Sequence, residues 1–201
     1  GVSASQVEMN SGIQFYDGIT TAEIQEILIK SASDLIELES PNYQFVAARL
    51  LLFGVRKKLW GRIHEAPSLG NHITKCIREG VYDSHFTSKY TDQEIDELDS
   101  YIDHDRDYLF TYAGLRQVTD KYLVQDRSTG DLYETPQFMY IMIAATMFSE
   151  YPQETRLDYV KRYYDAISRH RINIPTPVMG GVRTPIRQFA SCVLVDIDDT
   201  L

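Results

Sequence analysis

The residues best suited to chemistry gather near the end of the chain, where Gln188-Phe189-Ala190-Ser191-Cys192 sets a thiol beside a hydroxyl at the mouth of the apolar run Val193-Leu194-Val195-Asp196-Ile197. Such a thiol has two uses. It packs as a small hydrophobe in a buried strand, or it reacts, which requires a nearby base, metal or partner thiol. The other cysteine, Cys76, shares an apolar helix stripe with Ile73 and Ile77 and reads as core. Just upstream, Gly180-Gly181-Val182-Arg183-Thr184-Pro185-Ile186-Arg187 places two arginines and a threonine at a Gly-Gly turn. That pattern either cradles phosphate through backbone amides and guanidinium groups or forms a solvated basic loop. The closing run Asp196-Ile197-Asp198-Asp199-Thr200 can accept hydroxyl hydrogen bonds from a ribose, hold a metal, or form a polar loop.

His104-Asp105-Arg106-Asp107 resembles a metal or acid–base cluster. At helical spacing, however, His104 and Asp107 share a face and the other two point elsewhere, which suits capping and helix-end ion pairs better. The five histidines, at 64, 72, 85, 104 and 170, form no zinc-ligand spacing. Neither a nucleophile elbow nor a phosphate-binding P-loop is present in the sequence.

The elements that must position these groups are mostly helical. Thr20 and Glu23 have capping-box spacing and open a helix over about 21–38, with Ile24, Ile27, Leu28 and Leu35 on one face. Pro41 interrupts it, and a second helix over about 42–60 turns Phe45, Val46, Leu50, Phe53 and Leu59 inward and sets Arg56, Lys57 and Lys58 at its C-terminal end, where cations complement the dipole. A shorter helix lies within 67–80, with Gly80 as a left-handed cap. Thr91 and Glu94 repeat the capping box and start a helix that continues to about Thr119. The pattern then switches to a small hairpin over about 122–133, turning at Asp126-Arg127-Ser128-Thr129-Gly130. Pro136–Met147 is apolar all round and reads as a central helix, followed by a last helix over about 152–169. Residues 175–185 read as an extended, turn-rich connector, and 191–197 as a buried strand that needs a partner.

Length and composition agree with a packed protein. The 201 residues allow one large domain or one and a half, and 43% hydrophobic with 24% charged residues exclude a disordered chain. No run approaches the length of a membrane helix, and no secretory signal is visible. A formal net charge of −9 disfavours bulk nucleic-acid binding. Two widely separated cysteines suit a reducing compartment, so a cytoplasmic location is expected, with no membrane and no nucleic-acid partner. Both ends look cut: there is no initiating methionine, and the terminal strand lacks partners.

The stretch Ile174-Pro175-Thr176-Pro177-Val178-Met179-Gly180-Gly181-Val182-Arg183-Thr184-Pro185, continued by Arg187-Gln188-Phe189-Ala190-Ser191-Cys192-Val193-Leu194, closely resembles the large, catalytic subunit of class I ribonucleoside-diphosphate reductase. Pro41–Leu50, His104–Asp107, Lys121–Val124 and Glu134–Phe138 agree with it as well. The resemblance implies a mainly α fold: a partial ATP-cone over 1–90, a helical domain with the hairpin over 91–174, and over 175–201 a connector and the first strand of a truncated ten-stranded α/β barrel. It implies radical reduction of ribonucleoside diphosphates to deoxyribonucleotides.

Carried residue by residue, the resemblance makes Cys192 one half of a redox-active disulfide. Thr176 and Ser191 are substrate-binding residues, and Asp199, Thr200 and Leu201 begin a specificity-effector loop. Thr21 and Lys58 contact the activity effector, ATP or dATP. No metal or cofactor is expected in this chain. The radical metallocofactor belongs to a separate small subunit, and thioredoxin or glutaredoxin serves as reductant. The other partner is the remainder of the large subunit, whose thiyl-radical cysteine and second redox cysteine lie outside this sequence. The chain by itself is therefore expected to be inactive. The competing expectation is a non-catalytic helical nucleotide-binding or regulatory module derived from that family.

Overall fold

The computed structural model describes residues 1–197. Helices α1 (Ala4–Gly12), α2 (Thr21–Ser33), α3 (Tyr43–Trp60), α4 (Leu69–Arg78), α5 (Asp92–Tyr101), α6 (Tyr112–Lys121), α7 (Pro136–Met147), α8 (Gln153–Ser168) and α9 (Thr176–Gly181) follow in order, with 3-10 helices at Ser84–Ser88 and His104–Leu109. The local signals work as their chemistry dictates. Thr20 with Glu23 and Thr91 with Glu94 both close complete capping boxes. Gly61 and Gly80 take the left-handed conformation that ends α3 and follows α4, at φ 72° and 71°. Pro136 occupies the first turn of α7, where its missing N–H costs nothing.

α7 is the axis of the main core. Every residue from Pro136 to Ala145 is buried, and α3 to α9 contribute to the same cluster. A second, smaller cluster joins Val7 of α1, Ala32 of α2, and Tyr43 and Ala47 of α3. α3 thus serves two cores, which changes its buried face. Phe45, Val46, Leu50, Phe53 and Leu59 are only half-buried, while Tyr43, Ala47, Ala48, Leu51, Leu52, Val55 and Arg56 are buried. A helix packed on two sides buries side chains of both faces, with Ala47 and Ala48 allowing close approach, and leaves Phe45, Val46, Leu50, Phe53 and Leu59 between them. α1 carries no strong sequence signal, having no acidic residue in its first turn and no side-chain cap.

Four expectations need correction. The helix starting at Asp92 ends at Tyr101 instead of running to Thr119: Asp103 caps the 3-10 turn by accepting from Asp105 N, and Thr111 caps α6 by accepting from Gly114 N. The hairpin over 122–133 is reduced to one antiparallel bridge, Gln125 to Leu132, flanked by Tyr133 N to Val124 O at 2.9 Å. It cannot extend, because the Glu134 carboxylate takes Val124 N at 2.7 Å and Val118 O takes Leu123 N at 3.0 Å. The connector carries the short helix α9 and the buried Arg183 and Thr184.

Residues 191–197, expected as the first barrel strand, form no ladder, and no strand is present among the described residues. Leu194 is 98% exposed and Ile197 81%. A strand exists only against a neighbour that takes its amides and carbonyls, and nothing among the described residues lies beside this run.

Candidate functional site

The end of the bundle formed by α6, the C-terminus of α8 and α9 carries a groove of about 530 Å³. Thr176, first residue of α9, lines it with Tyr122, Gln117, Tyr140, His170 and Asn173. The Thr176 Oγ1 lies 3.2 Å from the Tyr122 hydroxyl. α8 ends into this groove through His170, whose φ of 55° is left-handed. Arg171 N bonds Ala166 O at 2.9 Å there, so His170 does a job usually left to glycine, at a cost of roughly 1–2 kcal/mol. Its ring sits edge-on to Phe110 at 4.5 Å, and burial lowers its pKa below the ordinary histidine range.

A buried ion-pair network fixes the groove from beneath. Arg183 and Glu134 are both fully buried. Arg183 Nε donates to Glu134 Oε2 at 2.8 Å, and Nη2 donates to Oε1 and, at 2.9 Å, to the Tyr122 carbonyl. Its Nη1 donates to Met179 O of α9 at 2.5 Å. Tyr82 donates to the same carboxylate, and His72 Nε2 lies 2.9 Å from the Tyr82 hydroxyl. Burial works against the Arg183 charge, but Glu134 more than offsets it and raises the guanidinium pKa. The sequence pattern left open a phosphate cradle or a solvated loop here; Arg183 is instead spent internally, while exposed Arg187 pairs with Asp83 at 2.5 Å.

Two more internal pairs escaped the sequence. Arg56 of α3, which the sequence places among helix-end cations, is buried and donates to Asp107 Oδ2 at 3.1 Å. Gln137 of α7 completes that carboxylate at 2.9 Å. Arg156 of α8 donates to Glu94 Oε1 at 2.7 Å, so the capping-box glutamate also ties α5 to α8. Burial pushes Asp107 up to about 6 and holds His72 and His104 down at about 4. The sequence signal for such pairs is faint: an arginine or acid at a core-facing position, whose partner only the fold supplies.

The other anticipated residues fall in separate places. Cys192 and Ser191 are exposed, with Ser191 Oγ 3.7 Å from Cys192 Sγ. Cys76 is fully buried and burial pushes its thiol up to about 12, as befits a core residue. Thr21 and Lys58 are both exposed. Gln25 Nε2 bonds Leu50 O at 2.6 Å and lies over Gly54, while Ala32 meets the Tyr43 end of α3, so α2 and α3 run antiparallel. That pairing brings the start of α2, with Thr21, to the end of α3, with Lys58. Asp199, Thr200 and Leu201 lie outside the described residues. Among the described residues no cluster of three or more His, Cys, Asp or Glu can hold a metal ion, and no helix is long and apolar enough to cross a membrane.

The family model described as "Ribonucleotide reductase, all-alpha domain" matches residues 108–187. The chain is 54% identical over 200 residues to ribonucleoside-diphosphate reductase 1 subunit alpha of Escherichia coli (strain K12), covering 100% of this chain and 26% of that protein. It is 54% identical to the alpha subunit from Haemophilus influenzae, with the same coverage, and 45% identical over 203 residues to that of Enterobacteria phage T4, covering 27% of it. Over its whole length the chain matches the N-terminal part of these ribonucleoside-diphosphate reductase alpha subunits. It spans about a quarter of the length of the curated relatives it matches.

Proposed function

We propose that this chain forms the helical wall of the active site in a ribonucleoside-diphosphate reductase, the enzyme that converts ribonucleoside diphosphates to deoxyribonucleoside diphosphates. The observation that carries this reading is the 54% identity over 200 residues to an alpha subunit, and it is supported by the Pro175-Thr176-Pro177 to Ser191-Cys192 stretch, whose residues resemble that family. In that stretch Thr176 lines an open groove and Cys192 is solvent-exposed. The exposed Val193, Leu194, Val195 and Ile197 support it too, since an apolar run of this kind calls for the neighbouring strands of a barrel.

Replacing a ribose hydroxyl by hydrogen takes two electrons and two protons and releases water. Cys192 would supply one thiol, and its sulfur would close a disulfide with a second cysteine of the subunit as the substrate is reduced. Cys76, buried and held near His72, is not that second cysteine. Thr176 and Ser191 would hold substrate phosphate and ribose through their hydroxyls. Thr21 and Lys58, brought to one end of the α2–α3 pair, would bind the activity effector, and Asp199, Thr200 and Leu201 would begin the specificity-effector loop. The radical that starts the reaction would be supplied by a metallocofactor on a separate small subunit, and thioredoxin or glutaredoxin would return electrons to the disulfide.

The test is CDP reduction by a full-length alpha subunit carrying these residues, assembled with the small subunit. Cys192→Ser should abolish multiple turnover; undiminished reduction would overturn the redox role.

A further inference from the structure

We infer that Tyr122 is a positioning residue for Thr176, holding its hydroxyl as a hydrogen-bond donor toward an oxygen of the bound nucleoside diphosphate; this rests on the substrate role proposed for Thr176. The two hydroxyls are 3.2 Å apart. A phenol is a stronger hydrogen-bond donor than an aliphatic hydroxyl, so the Thr176 oxygen accepts from Tyr122. Thr176 then keeps its own proton, which points to a further acceptor. Phosphate and ribose oxygens are acceptors of that kind, and they reach Thr176 from the groove that Tyr122 and Thr176 line together.

The placement of Tyr122 is overdetermined. Its amide donates to Val118 O at 3.0 Å, and its carbonyl accepts from Arg183 Nη2 at 2.9 Å. The same guanidinium reaches Met179 O of α9 at 2.5 Å. One buried cation therefore ties together the two elements that carry the two hydroxyls, and their spacing does not depend on the loop before α9. A ligand meets a hydroxyl already aimed, which lowers the ordering cost of binding.

A double-mutant cycle on steady-state kinetics of the full-length enzyme tests this. Tyr122→Phe should raise KM for the nucleoside diphosphate roughly three- to tenfold, the worth of one neutral hydrogen bond, with kcat within about twofold. Thr176→Val should raise KM at least as much, Thr176→Ser should keep the wild-type value, and Tyr122→Phe should add nothing in the Thr176→Val background. An unchanged KM in Tyr122→Phe beside a raised one in Thr176→Val overturns the positioning role, as does an equal penalty in both backgrounds. An unchanged KM in Thr176→Val overturns the substrate role itself. Incorporating 3-fluorotyrosine at 122, which leaves the shape nearly intact and makes the phenol a stronger donor, should lower KM. A flat response there overturns the proposal even where Tyr122→Phe fails to fold.

Discussion

The helical body and the segment after Arg187 treat their side chains in opposite ways. In the body, charged groups taken out of water meet partners: Arg183 with Glu134, Arg56 with Asp107 and Gln137, Arg156 with Glu94. Beyond it, apolar groups are left in water: Val193, Leu194, Val195 and Ile197 are all exposed. The body supplies the partners of these buried charges from within itself. The tail leaves these apolar groups without neighbours among the described residues.

The sharpest way to break this contrast is to unpair the body. Glu134→Ala leaves the Arg183 charge buried beside Tyr82 without its carboxylate, and chemical denaturation should show a loss of about 3–5 kcal/mol. A loss under about 1 kcal/mol would mean that water or rearrangement replaces the pair and that the body is less self-sufficient than its geometry indicates.

A smaller effect is expected from pH. His72 and His104, held down at about 4 against an ordinary 6.5, bind protons more readily in the unfolded chain, so they favour folding more as pH rises from about 4 to 6.5. Asp107, pushed up to about 6 from 3.8, acts in the opposite sense between about 4 and 6: its contribution is greatest at low pH and is lost as pH rises through 6. Two imidazoles outweigh one carboxylate, so stability should fall as pH drops from 6.5 to 4. Asp107→Asn, with the opposing group removed, should make that fall steeper whatever its absolute stability. A shallower slope would assign the acid sensitivity to other groups.

The smallest effect belongs to the tail. Leu194→Ser should change the stability of this 201-residue chain by less than about 0.5 kcal/mol, because the side chain is already in water. A loss of 1 kcal/mol or more in thermal or chemical unfolding would show that the run is covered within the chain itself.

How much of this was legible in the sequence depended on how local each feature is. The capping boxes at Thr20 and Thr91, the glycine stops at 61 and 80, and the apolar α7 each follow from residues a few positions apart, and each is present. The buried face of α3 departs from its apolar pattern because two cores share that helix. The hairpin shrank to a bridge because a carboxylate ten residues away captured Val124 N. At the candidate groove, Thr176 belongs to a motif legible in the sequence; the Tyr122 hydroxyl beside it and the Arg183 tie beneath it are not legible there, since 54 and 61 residues of chain separate the partners.

The sequence by itself determined the capped helix starts at Thr20 and Thr91, the glycine stops at 61 and 80, which cysteine is core, and to which family the motifs point. Those features depend on backbone hydrogen bonds and capping groups within a turn or two. Tertiary structure alone decided that Arg183 serves Glu134 rather than a phosphate, that Asp107 lies buried between α3 and α7, and that the groove brings Tyr122 to Thr176. Burial of a charge or the aim of a hydroxyl depends on what packs against it from distant parts of the chain.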